Sequence, residues 1–119
     1  MVDIILTNPH TGLSQKTSGL IDTGADECAF PLWLAVALGH LLDRGHAKTV
    51  TTGNGQAVSY GHTTIIEIPG FSTSEVVVDY LPNLNIPLLG VRSFLSNFVL
   101  EVDYPNSVYS LRLPKTTKT

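Results

Sequence analysis

The sequence predicts an all-β domain, a small barrel or sandwich with one main helix. Three observations lead there. Short β-branched and apolar runs alternate with Gly, Pro, Asn and Asp along most of the chain. Only one segment, Pro31 to Leu38, has the boundaries of a convincing helix. Finally, 119 residues that are 43% apolar and 14% charged are enough for one packed domain and too apolar for a disordered segment.

Taken in order, Val2 to Leu6 is a first strand, and Asn8-Pro9-His10-Thr11-Gly12 is a cluster of turn formers. Lys16 to Ile21 is a second strand running into Asp22-Thr23-Gly24. The helix has Pro31 at its first turn and Gly39 as its stop. Lys48 to Thr52 is β-branched, and Gly53-Asn54-Gly55 contains the Asn-Gly pair favoured in tight hairpins. Gln56 to Tyr60 and Thr63 to Ile68 read as two returning strands, closed by Pro69-Gly70. Glu75 to Asp79 is a valine-rich strand, and Pro82 and Pro87 bound an irregular stretch. After Leu88-Leu89-Gly90, a short helix is expected from Val91 to Ser96. Phe98, Leu100 and Val102 alternate with Glu101 and Asp103 on a further strand. Tyr104-Pro105-Asn106 is a turn and Val108 to Leu113 the last strand. Residues 1–113 are therefore expected to form one domain and the polar residues 114–119 a frayed tail.

Composition narrows the function. Seven Lys and Arg against ten Asp and Glu give a net charge of −3, without the basic excess of a nucleic-acid binder. No apolar run approaches the length of a membrane span, so no membrane partner is expected. Met1-Val2-Asp3 opens no basic, then apolar, leader. The single cysteine, Cys28, cannot form an internal disulfide, and the expected setting is reducing and cytoplasmic. The four histidines lack zinc-type spacing and are expected at the surface or hydrogen-bonded, Trp33 is expected in the core, and no cofactor or metal is expected.

Asp22 is the main chemical candidate. A strand ending in Asp-Thr-Gly delivers a carboxylate at a sharp turn, and the glycine leaves backbone open to a ligand. An ordinary Asx turn is the plainer reading of those three residues. The order of features along the chain then matters. Leu20-Ile21-Asp22-Thr23-Gly24-Ala25-Asp26, the glycine-rich hairpin and Leu88-Leu89-Gly90 before a short helix occur in a sequence that resembles the retroviral-type aspartic proteases. The segment Pro31 to Leu42 is more similar to cellular and bacterial members than to viral ones. The resemblance spans about residues 2 to 112.

That resemblance implies a closed retropepsin-like barrel, homodimeric, with a flap hairpin, and an endopeptidase acting on extended polypeptide. Its reaction uses two carboxylates sharing a proton and a water. Asp43, Asp79 and Asp103 are not followed by Thr-Gly or Ser-Gly, so the second carboxylate is expected from a second copy of the chain, with Asp22 beside a two-fold axis. The resemblance further implies that Thr23 hydrogen-bonds across that axis, Gly24 admits substrate backbone and Ala25 packs beneath the site. Some relatives carry a hydrogen-bonding Ser in place of Ala25, so activity here is expected at higher pH than in those relatives. Gly53, Asn54 and Gly55 would form the flap tip. Leu20, Ile86 and Leu88 would line side-chain pockets, and Asp26 or Glu27 would contact substrate backbone or an Arg near Gly90. In viral relatives Arg follows that glycine directly, whereas here Val91 intervenes before Arg92. Viral members also end soon after the helix in a dimerising strand, and this chain continues through another turn and strand. A catalytically weak peptide-binding or dimerisation module and a monomeric ligand carrier are the competing readings.

Overall fold

The computed structural model describes residues 1–41, 46–52 and 55–114. Strand β1 (Val2–Thr7) pairs antiparallel with β2 (Ser14–Ile21), from Val2↔Gly19 to Thr7↔Ser14. Period-two alternation turns Ile4 and Leu6 into the core. The buried Asn8 organises the intervening turn: its Oδ1 accepts the His10 N–H at 2.9 Å, and its Nδ2 donates to the Leu38 carbonyl at 2.9 Å. The first hairpin is thereby tied to the end of the helix.

Strand β3 (Ala29–Pro31), which the sequence did not announce, runs directly into helix α1 (Leu32–Ala37). Pro31 is the capping residue, with an extended ψ of 140°. Gly39 stops the helix as expected. At φ +73° it lets its own N–H reach the Val36 carbonyl and the His40 N–H reach the Ala35 carbonyl, a Schellman closure. Leu34, Ala35 and Leu38 face the core. That phase puts Trp33 on the outer flank, 54% exposed, which corrects the expectation that it is a core residue.

Strand β4 (His46–Thr52) and the long β5 (Gly55–Ile68) pair antiparallel up to Thr52↔Gly55. Gly53 and Asn54 lie outside the described residues. The two strands expected between Gln56 and Ile68 are one. Gly61 pairs with both His46 and Asp79, so it is an interior sheet position and not a break. Strand β6 (Ser72–Leu81) pairs with β5 from Tyr60 to Ile68, and β7 (Leu88–Leu89) lies parallel to β2 and antiparallel to β3. Because β5 also pairs with β1 at residues 65–67, six strands close a barrel in the order β1-β2-β7-β3-β6-β5. The fold is all-β with little helix. Strand β4 continues beyond the ring on the edge of β5 that β1 occupies further along. Residues 55–59 of β5 have β4 as their strand partner, so this end of the hairpin projects as a two-stranded arm.

The barrel interior is filled by Leu6, Phe30, Ile66, Val78, Tyr80 and Leu89 among others. Phe30 and Tyr80 meet edge to face with centroids 5.9 Å apart. The expected helix from Val91 to Ser96 is instead a series of turns ending in a 3₁₀ turn, Leu95–Asn97. Beyond it, β8 (Val99–Asp103) and β9 (Val108–Arg112) form a separate two-stranded ribbon. Phe98 fastens that ribbon by ring contacts to Phe94 (4.9 Å) and Phe71 (5.7 Å). Among the described residues no helix is long and apolar enough to cross a membrane.

Candidate active site

Strand β2 delivers Asp22. The alternation that turns Ile21 against the core turns Leu20 and Asp22 to the opposite side. Two backbone bonds to the β7 segment fix this end: the Leu20 N–H donates to the Pro87 carbonyl (2.9 Å) and the Asp22 N–H to the Leu89 carbonyl (3.1 Å). Asp22 and Leu89-Gly90, 67 residues apart in the numbering, are therefore brought together by the parallel pairing of two short strand ends.

The loop itself is tight. Asp22 Oδ1 accepts the Gly24 N–H at 3.0 Å, and the Ala25 N–H donates to the Asp22 carbonyl at 3.2 Å. The Asx turn that was the plain reading of Asp-Thr-Gly is thus the device that orients the carboxylate. A Cβ on Gly24 would lie 3.3 Å from Asp22 Oδ1, so glycine suits the close approach. Asp22 is half-buried, and Thr23, Gly24 and Asp26 are exposed.

The far side of the loop lies on residues 90–93. The Val91 N–H donates to the Ala25 carbonyl (2.8 Å) and the Arg92 N–H to the Asp26 carbonyl (2.7 Å). Arg92 thus meets Asp26 through its backbone. Ser93, which sequence reasoning passed over, donates its hydroxyl to the Glu27 carboxylate and accepts the Cys28 N–H at 3.3 Å. The only trace of this in the sequence is a small polar residue three places after Gly90, too weak a signal to single out.

The expected pocket residues take distinct places. Leu20 and Leu88 are register partners across β2 and β7, the first 42% exposed and the second half-buried. Ile86, 39% exposed, precedes the Pro87 whose carbonyl holds Leu20. Gly55, at φ +111°, opens β5 at the end of the projecting arm. The cysteine is no nucleophile: it is fully buried, and burial pushes its thiol up to about 11. His40 is buried, stacked on His62, with Tyr80 and the Thr64 hydroxyl beside it. Among the described residues no group of three or more His, Cys, Asp or Glu is arranged to hold a metal ion.

This is an acid-bearing loop at the end of a barrel strand, pinned by a Leu-Leu-Gly segment, and a family model described as aspartyl protease matches residues 11–92, which contain both pieces. The chain belongs to the aspartyl protease family. In overall shape it is similar to a retropepsin-like aspartic protease from Rickettsia conorii, with a TM-score of 0.65, 24% identity, and coverage of 87% of this chain and 95% of that one. It is also similar to the retroviral protease-like domain of Ddi1 from Leishmania major, with a TM-score of 0.61, 14% identity, and coverage of 97% and 94%. The fold is retropepsin-like. Comparison with curated proteins gives no match.

Proposed function

We propose that this chain is an aspartic endopeptidase that works as a homodimer and cleaves extended polypeptide. The observation that carries the reading is the Asp22 loop: one half-buried carboxylate per chain, oriented by its own Asx turn and braced from both sides by β7 and residues 90–93. One carboxylate cannot perform the chemistry. Two that lie close cannot both ionise, so one keeps a proton while the other acts as base, and the pair titrates as a unit. The charged member takes a proton from water as the water attacks the scissile carbonyl. The protonated member donates a hydrogen bond to the oxygen on which charge develops. These two acids supply base and acid together, so the reaction calls for no metal or organic cofactor.

The surroundings fit an extended substrate. Exposed Leu20 and Ile86 with half-buried Leu88 lie along the strand ends that carry Asp22, and they favour apolar residues beside the cut. The projecting β4–β5 arm acts as the flap, with Thr52 and Gly55 at its described end, offering backbone groups to a chain laid across the site. Thr23 of each copy braces the two loops across the axis.

The test is Asp22→Asn, assayed on a reduced, carboxymethylated protein that presents extended chain. The substitution is near-isosteric and keeps the Asx turn. Cleavage should fall by at least about a thousandfold, with melting temperature and hydrodynamic mass unchanged. Retained cleavage in Asp22→Asn would contradict the role given to Asp22, and a wild-type chain that binds this substrate without cutting it would leave a peptide-binding module in its place.

A further inference from the structure

We propose that Ser93 and Glu27 form a clamp that fixes the Asp22 loop, which makes both of them positioning residues for its carboxylate. The kinetic consequence rests on the peptidase reading above; the clamp itself does not. Ser93 is 5% exposed. Its single hydroxyl grips two successive residues of the loop, donating to the Glu27 carboxylate and accepting the Cys28 N–H. A hydroxyl with one donor and two acceptor positions suits this double role, and its bond to a carboxylate is charge-assisted.

The clamp completes a run of attachments. Asp22 is held by the Leu89 carbonyl, Ala25 and Asp26 by the N–H groups of Val91 and Arg92, and the Cys28 carbonyl by the Asp79 N–H. Glu27 has its backbone pressed against Gly90, where a Cβ would come within 2.3 Å of the Glu27 carbonyl oxygen. Ser93 adds the side-chain bond at Glu27 and accepts the N–H of Cys28. The segment bearing Ser93 is itself folded on two backbone bonds, from the Leu95 N–H to the Gly90 carbonyl (3.0 Å) and from the Ser96 N–H to the Val91 carbonyl (2.7 Å). Removing the hydroxyl strands a buried N–H and leaves the half-buried Glu27 without its donor. The loop is then free to shift against β7, and a catalytic group displaced by a fraction of an ångström loses rate before it loses substrate affinity.

The experiment compares the full-length wild type with Ser93→Ala, Ser93→Thr and Glu27→Ala. Amide hydrogen exchange is read at residues 24–28. Kinetics are read on the carboxymethylated protein, with active sites counted by titration with a statine-containing peptide. The clamp predicts that Ser93→Ala and Glu27→Ala each speed exchange at residues 24–28 by about tenfold or more. It also predicts that they lower kcat per titrated site about tenfold to a hundredfold with KM within about twofold, and that Ser93→Thr restores both. A purely structural role would lower the melting temperature and the number of titratable sites but leave kcat per site unchanged, and that result overturns the proposal. Should Ser93→Ala fail to fold, Glu27→Ala decides, since it removes the acceptor and leaves the buried serine in place. If the wild type cleaves nothing, the peptidase reading fails and exchange alone judges the clamp: unchanged exchange in Glu27→Ala refutes it, faster local exchange sustains it.

Discussion

A methyl group added to Gly90 would come 2.3 Å from the Glu27 carbonyl oxygen and 2.4 Å from its carbon, both backbone atoms that cannot swing aside. Gly90→Ala should therefore push residues 25–28 off the 90–93 segment and cost about 3 kcal/mol or more, read as a drop in the denaturant midpoint. This glycine was legible from the sequence as part of Leu-Leu-Gly, but the reason for it was not, because Glu27 lies 63 residues earlier and nothing local announces the crossing. The same holds for His40. Spacing set it aside as a metal ligand and left it at the surface or hydrogen-bonded; packing places it against His62 with ring centroids 4.5 Å apart and within 3.3 Å of the Thr64 hydroxyl. Burial first, and then the charges of His62 and His10, lower its pKa from 6.5 to about 4. The folded state thus holds the imidazole neutral where the unfolded chain would protonate it. His40 costs no stability above about pH 6.5, and stability is lost as pH falls from there through about 4, by at most about 3 kcal/mol. Urea unfolding of wild type and His40→Gln across that window checks the sign: the wild type should lose stability more steeply toward acid.

At the scale of elements, local chemistry predicted what local chemistry controls. The strands β1 and β2, the helix at Pro31 to Leu38 and its stop at Gly39 follow from alternation, capping and the need for a positive φ. Gly39→Ala forces an L side chain to φ +73° and points a Cβ to within 3.1 Å of Leu13. It should cost about 1 kcal/mol, roughly 5 °C in melting temperature, while the helix content seen by circular dichroism changes little. Elements defined by distant partners escaped. Strand β3 is three residues long, and it exists because β6 and β7 flank it. Gly61 reads as a break until its two cross-strand neighbours are known. Trp33 reads as core until the phase of α1 is fixed by Leu34, Ala35 and Leu38. In each case the deciding contact is long-range, and a window of sequence does not contain it.

Over the whole molecule, the candidate carboxylate was legible and its surroundings only in part. Asp22, the loop behind it and the Leu-Leu-Gly segment were read from residue order, and β2 and β7 do bring them together. The brace through Ser93 was not legible, since it depends on the path taken by residues 90–97. The matched span, 11–92, ends before the β8–β9 ribbon, whose Val102, Tyr104 and Tyr109 are all exposed. The proposed chemistry requires two carboxylates and takes one Asp22 from each of two copies, so assembly is part of the proposed mechanism.

That claim is tested most directly by poisoning the wild-type chain with Asp22→Asn chains at a fixed wild-type concentration, after refolding the two together so that protomers exchange. If each site takes one Asp22 from each of two copies, nine variant chains per wild-type chain should cut cleavage to about a tenth of the unmixed value, because most wild-type chains then sit beside an asparagine. Activity that stays proportional to wild-type content, whatever the excess of variant, would mean that one chain cleaves alone and would contradict the shared dyad.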